Sequence, residues 1–212
     1  MQHYKVPAQG LDTPGWFGKL PGMGDFAQRR LPAGFVEVWD SWLQTGLQQL
    51  RSERDDWVAH YLEAPLWFFA LGTHIVSARP WMGVLMPSVD SVGRYFPLTM
   101  AIELVPTDDA ASDDALPDIH RWWDLSAKAA LAALDGNFDA ARFDGSLLAL
   151  FGAPSSQAPA SLSMSGLPAA GMSSWLVNPG MPDTVVHTIP QLPTVAGFEV
   201  LFGYANVAHA QR

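Results

Sequence analysis

Three short apolar runs, each bounded by turn-forming residues, constrain this chain more than any other feature. Leu66-Trp67-Phe68-Phe69-Ala70-Leu71 follows Pro65, and Trp81-Met82-Gly83-Val84-Leu85-Met86 lies between Pro80 and Pro87. In the third, Leu98, Met100, Ile102 and Leu104 alternate with Thr99, Ala101 and Glu103. Such runs are far short of the roughly 20 apolar residues a membrane helix needs. They predict buried strands, the third with one drier face. Short connections between them predict an antiparallel meander.

Helical patterns flank the meander. Phe35, Val38, Trp39, Trp42, Leu43, Leu47 and Leu50 line one face at a 3.6-residue period, opposite Glu37, Asp40, Ser41, Gln44, Gln48 and Arg51. Asp55-Asp56 offers a cap for a second, shorter helix with Trp57, Tyr61 and Leu62. Pro117 suits the first position of a third helix, striped by Ile119, Trp122, Trp123, Ala130, Leu131 and Leu134 and stopped by Gly136. A fourth helix is expected from Phe138 to about Leu150. Trp16–Leu20 reads as a first strand, Trp175–Val177 and Thr184–Ile189 as later ones, and Phe198–Phe202 as a short element of open type. Residues 1–14 have no period and are expected to be frayed. Residues 152–174 are uncharged and rich in Ala, Ser, Pro and Gly, which predicts a mobile loop. Strands do not alternate regularly with helices, so the α/β class is of the α+β type. The expected architecture is a central, mainly antiparallel sheet with helices on both faces, a three-layer single domain over residues 1–212.

Composition removes several functions. The chain has no cysteine, so disulfide scaffolds, thiolate zinc sites and thiol nucleophiles are out. Twelve basic against 21 acidic residues give a net charge of −9, which argues against nucleic-acid partners. The acidity is uneven: residues 1–106 hold 8 Lys+Arg and 10 Asp+Glu, residues 107–212 hold 4 and 11. Asp108, Asp109, Asp113, Asp114 and Asp118 cluster without a base and read either as an acidic docking strip or, as the commoner case, as a solvated loop leading into a helix N-terminus. No targeting segment or direct membrane insertion is expected, and the default location is cytoplasmic. None of the six His lies at i, i+3 or i, i+4 from another, so neither a metal nor a cofactor is expected. Gly22-Met23-Gly24-Asp25-Phe26-Ala27 has the dinucleotide spacing, but Pro32 interrupts the helix that spacing needs. No G-x-S-x-G elbow is present.

Two polar clusters remain. One is the turn with Lys19, Asp25, Arg29 and Arg30. The other is the loop Pro87–Pro97, with Ser88, Asp90, Ser91 and Arg94. Their groups either satisfy one another or present a partner-binding patch anchored by arginines.

The same stretches carry a resemblance. Gly15-Trp16-Phe17-Gly18-Lys19-Leu20-Pro21-Gly22-Met23-Gly24-Asp25-Phe26, Arg29-Arg30-Leu31-Pro32, Trp39-Asp40-Ser41-Trp42-Leu43-Gln44, Trp57 to Pro65 and Gly83 to Leu98 resemble the opening half of the TagF (ImpM) family of type VI secretion accessory proteins. A basic residue follows the Trp in that family's pattern, whereas Phe68 follows Trp67 here. The resemblance implies a longin-like or profilin-like fold and a non-enzymatic, cytoplasmic regulator. Such a regulator would repress type VI secretion by binding the forkhead-associated scaffold protein Fha and restraining assembly or firing. Some relatives are fused to a PP2C-type phosphatase, which here would be a separate protein. The residues expected to meet a partner are Lys19, Gly24, Asp25, Arg29, Arg30, Asp40, Ser88, Asp90 and Arg94. Two alternatives stand beside this. One is a small-molecule-binding or hydrolytic enzyme with a site between the 22–25 turn and the 88–94 loop. The other is a structural accessory subunit of the secretion apparatus.

Overall fold

The computed structural model describes residues 3–7, 12–107, 115–134, 138–153, 166–181 and 183–204. In chain order its elements are β1 (His3–Lys5), β2 (Gly15–Gly18), β3 (Ala27–Arg29), α1 (Ala33–Glu53), α2 (Trp57–Glu63), β4 (Trp67–Leu71), β5 (Trp81–Met86), β6 (Leu98–Glu103) and β7 (Val105–Thr107). Then follow α3 (Ala115–Ala133), α4 (Ala140–Gly152), β8 (Met172–Leu176), β9 (His187–Pro190) and α5 (Val195–Leu201). Seven strands form one sheet in the order β3-β2-β6-β5-β4-β8-β9. Every neighbouring pair is antiparallel. The predicted meander β4-β5-β6 is its centre, and β1 pairs with β7 in a small second sheet.

Each central strand divides its side chains between two cores, because successive residues point to opposite faces. Phe68 and Ala70, Met82 and Val84, and Met100 and Ile102 pack with Trp122 and Trp123 of α3 and Phe143, Leu147 and Phe151 of α4. Trp67, Phe69 and Leu71, with Trp81, Leu85 and Ala101, pack with Phe35, Trp39, Leu43 and Leu47 of α1 and Phe198 of α5. The result is the expected α+β arrangement, with helices on both faces of an antiparallel sheet. Where one drier face is expected of the third strand, β6 is buried on both sides. Thr99 is tolerated there because its hydroxyl accepts the indole N–H of Trp39 at 2.8 Å.

Several expectations are corrected. Residues 3–5, within the segment expected to be frayed, form β1 against β7, and Val6 and Asp12 are buried. Leu131 and Leu134 are exposed. The buried stripe of α3 runs instead through Ile119, Trp122, Trp123, Ser126, Ala130 and Ala133, one helical step to the side. Pro117 sits third in α3 rather than first, still within the turn whose N–H groups lack helical partners. Asp56 stands at the N-cap of α2 but makes no capping bond there. Its carboxylate accepts the Tyr204 hydroxyl at 2.6 Å instead. Phe198–Phe202 falls on α5 and the residue just after it. Of the predicted 152–174 loop, Gly152 ends α4 and residues 172–174 belong to β8, while 154–165 lie outside the described residues. Asp108, Asp109, Asp113, Asp114 and Gly136 lie outside them too.

Gly83 is a tight point at the centre of the sheet. A Cβ there would stand 2.3 Å from Phe69 Cζ and 2.4 Å from the Met100 carbonyl oxygen. The strand pair closes only because Phe69 lies across a bare Cα. Gly83→Ala is therefore expected to destabilise the fold by about 2 kcal/mol or more, since one obstructing atom belongs to the backbone and cannot swing away. Urea denaturation measures this, and a loss within about 0.5 kcal/mol would contradict the packing described.

Candidate functional site

The two polar clusters meet because of strand order. β2 and β6 are neighbours, with Phe17 opposite Thr99, and β6 neighbours β5, with Leu98 opposite Met86. The chain leaving β2 at Lys19 and the loop joining β5 to β6 therefore emerge side by side at one end of the sheet.

Asp90 is the hub. Its carboxylate is fully buried and accepts four hydrogen bonds. Oδ2 takes Lys19 Nζ at 2.5 Å and Arg94 Nε at 2.8 Å. Oδ1 takes the backbone N–H groups of Val92 at 3.1 Å and Arg94 at 2.8 Å. Around it, the Ser88 hydroxyl donates to the Lys19 carbonyl at 2.8 Å. The Tyr61 hydroxyl donates to the Ser88 carbonyl at 2.9 Å and accepts the Ser88 N–H at 3.0 Å. The Ser91 N–H reaches the Met23 carbonyl at 2.9 Å, which fastens the loop to the 22–25 turn. Lys19 Nζ also lies 4.4 Å from the centre of the Phe26 ring.

Burial by itself would raise the Asp90 carboxyl, but Lys19, the Arg94 N–H and guanidinium, and the Val92 N–H outweigh it. They hold the group well below the usual carboxylate range. Burial pushes the Tyr61 hydroxyl well above the ordinary phenol value. Chemically the cluster is closed. A carboxylate offers about four acceptor positions, and all four are taken. Ser88 and Tyr61 likewise spend their hydroxyls on backbone groups.

Of the nine expected residues, Lys19, Ser88, Asp90 and Arg94 come together, with Gly24 beside Ser91 and Asp25 at the rim. Asp25 is almost fully exposed, with Oδ1 3.8 Å from Arg94 Nη2. The other three go elsewhere. Arg30, in left-handed conformation at φ 59°, makes a two-pronged pair with Asp144 of α4 at 2.7 and 3.0 Å. Asp144 also accepts the Trp16 indole N–H at 2.9 Å. Burial would raise the Asp144 carboxyl, yet Arg30 and Trp16 keep it lowered. Arg29 lies on the edge strand β3 and donates to the Gln28 carbonyl. Asp40 sits on α1 and accepts Gln44 Nε2 at 2.6 Å.

The 22–27 segment also decides the glycine spacing noted in the sequence. It runs into a strand, not a helix, and a Cβ on Gly22 would stand 2.4 Å from the Phe138 carbonyl oxygen. That glycine serves packing against the start of α4. A shallow cleft of about 480 Å³ opens there, lined by Phe138, Arg142, Gly145, Ser146 and Ala149, and takes no wall from the Asp90 cluster. Tyr61 is the member of the cluster that sequence reasoning missed. Its helical spacing marked it as core, and nothing local signalled that its hydroxyl would clamp Ser88.

Residues 15–150 match the family model described as the TagF N-terminal domain, type VI secretion system-associated. The chain belongs to the TagF family. The matched stretch runs from β2 into α4 and holds both loops of the Asp90 cluster. Among solved structures, the chain is similar to PA0076 from Pseudomonas aeruginosa PAO1. The identity is 29% and the TM-score 0.70, over 92% of this chain and 96% of that one. No curated protein matches the chain. Among the described residues, no helix is long and apolar enough to cross a membrane. The Asp90 cluster is thus a feature of a TagF-family sheet, built from its strand ends.

Asp90→Asn should cost about 3–5 kcal/mol at neutral pH, because it leaves Lys19 buried without its counter-charge. The pH dependence has a definite sign. A carboxyl whose folded pKa is depressed contributes fully above its ordinary value of about 3.9, and loses that contribution as pH falls below it. The stability gap between wild type and Asp90→Asn is therefore expected to be largest near neutrality and to narrow below about pH 4. Denaturation series at pH 7, 5 and 3 read this directly, and a gap that does not change with pH would contradict it.

Proposed function

We propose that this TagF-family protein is a non-enzymatic, cytoplasmic regulator of type VI secretion. It represses by binding the forkhead-associated scaffold protein Fha and restraining assembly or firing of the apparatus. A PP2C-type phosphatase, where one takes part, acts as a separate protein. The observation that supports the reading is the family match over residues 15–150, a stretch that includes Lys19, Ser88, Asp90 and Arg94. The chemistry of the cluster agrees with a binding role. Its carboxylate and ammonium are paired, its hydroxyls are bonded to backbone groups, and Arg94 and Asp25 face outward. Lys19, Ser88 and Asp90 act in this reading as the support of the surface, and Gly24, Asp25, Arg29 and Arg94 as its solvent-facing members. Arg30 and Asp40 contribute by fixing β3 to α4 and by lying on α1.

The test is co-purification with the Fha scaffold at micromolar concentration, with a thermal melt beside each variant. Asp25→Ala should leave the melting temperature unchanged, since its contact is long and exposed. Arg94→Ala should lower stability by about 1 kcal/mol through loss of its bond to Asp90. Both should reduce capture of the scaffold. Failure of the wild-type chain to bind the scaffold would sink the mechanism. Unchanged capture by both variants would remove these residues from the site.

A further inference from the structure

Beyond α5 the chain turns back at a left-handed glycine. α5 closes at Leu201, and Gly203 takes φ 86°. The Tyr204 N–H then reaches the Glu199 carbonyl at 3.1 Å and the Gly203 N–H the Val200 carbonyl at 3.3 Å, the pattern that ends a helix at a residue of positive φ. This reversal sets Tyr204 against the junction of α1 and α2. Its ring stacks on His60 at 4.1 Å, and the Arg54 guanidinium lies 4.9 Å from its centre. Its hydroxyl donates to Asp56 at 2.6 Å, and Arg54 makes a two-pronged pair with Glu199 at 2.9 and 3.1 Å.

Those contacts fall on a helix that cannot hold itself. α2 is seven residues long, too short to be stable by its own hydrogen bonds, and its N-cap Asp56 is spent on Tyr204. One turn further along α2 stands Tyr61. Phe202 stacks on its ring at 5.2 Å with the planes 15° apart. The same ring meets Tyr95 edge-on at 5.7 Å, Trp57 meets Tyr95 at 5.2 Å, and the Tyr61 hydroxyl clamps Ser88. Ser88 and Tyr95 lie at the two ends of one loop. The bridge between Val89 and Tyr95 and the Phe96 N–H on the Ser88 carbonyl close its base. The C-terminal turn and the loop therefore hold the same short helix and share one of its side chains.

We propose that residues 198–204 act as a clasp that, through α2, keeps the base of the 88–95 loop closed, with Phe202 and Tyr204 as positioning residues and Tyr61 as the link. The bonds of Asp90 set the shape of the loop, and the clasp sets how often its base opens. Phe202 and Tyr204 lie beyond residue 150, so a loop of the matched stretch is steadied from outside it. The inference concerns the rigidity of the loop and holds whatever the loop binds.

Native-state hydrogen exchange of the full chain, read by mass spectrometry, tests this on Tyr204→Ala, Tyr204→Phe and Tyr61→Phe. Phe151→Leu, in the core on the other face of the sheet, is the control for general loss of stability. In Tyr204→Ala the amides of 87–97 should exchange about tenfold faster or more, while those of β5 and β6 stay within about twofold of wild type. Tyr204→Phe keeps the ring and loses the bond to Asp56, and should fall between. Tyr61→Phe should speed 87–97 while 195–204 stays protected, because the link is cut beyond the clasp. Phe151→Leu should change 87–97 no more than it changes β5 and β6. Should Tyr204→Ala fail to fold, Tyr204→Phe decides alone. Faster exchange at 195–204 with 87–97 within about twofold of wild type would overturn the clasp, since the terminus would then secure only itself. Equal acceleration of 87–97 and of β5 and β6 would overturn it as well, because that pattern is global unfolding.

Discussion

The constraint on which everything else depends is that the three central strands are covered on both faces. A strand buried on one side tolerates polar residues on the other; β4, β5 and β6 have no such side. Every polar group admitted there has had to bring its partner. Thr99 meets the indole of Trp39, and in neighbouring β8 Ser173 accepts the indole N–H of Trp175 while donating to the Gln191 carbonyl. The large aromatics follow from the same constraint. Each buries on the order of 200 Å² and lets few side chains fill the two layers. Close approach then becomes critical wherever one of them lies against backbone, as Phe69 does over Gly83.

With the faces occupied by packing, chemistry is left to the ends of the strands. There a buried carboxylate is the organising device. Asp90 is costly to desolvate, and it is stable only because four donors converge on it from Lys19 and from its own loop. Those bonds make the 88–94 loop a fixed shape, not a tether. The arrangement explains why the residues that look reactive in the sequence are inward and quiet, while the residues that face outward are the Arg94 guanidinium, the exposed Asp25 carboxylate beside it and the apolar side chains of Phe26 and Val92. Recognition fits that division better than catalysis.

Much of this was legible in the sequence. The period of two in 98–104 and the apolar runs at 66–71 and 81–86 placed the meander, and the 3.6-residue stripe from Phe35 to Leu50 placed α1. Lys19 and Asp90 were singled out from turn chemistry alone, but that they satisfy each other depends on β2 and β5 flanking β6, which no local pattern states. Arg30 finds Asp144 across more than 100 positions, and Tyr61 finds Ser88 through its hydroxyl while its ring obeys the core pattern. The misplaced leucines of α3 have a simpler cause: Leu131 and Leu134 are as apolar as their neighbours, and only tertiary contact decides that small Ala130 and Ala133 face the sheet. β1, β3 and β7 are each three residues long, too short to carry a period at all.

The pairing of β4 with β8 sets an order of events during synthesis. Phe69 lies opposite Trp175, so β4 waits for about 100 further residues before its outer edge is covered. At ordinary translation speeds that is on the order of 5–20 s, during which an aromatic-rich strand presents unpaired N–H and C=O groups. The family-matched stretch, residues 15–150, ends before β8 begins. A fragment cut at that boundary would keep the Asp90 cluster but leave β4 as a permanent open edge. Such a fragment should be recovered from cells as aggregate, and the missing strand supplied in trans should restore it to solution. For this fold, the boundary drawn by sequence similarity is not the boundary at which the sheet becomes self-sufficient.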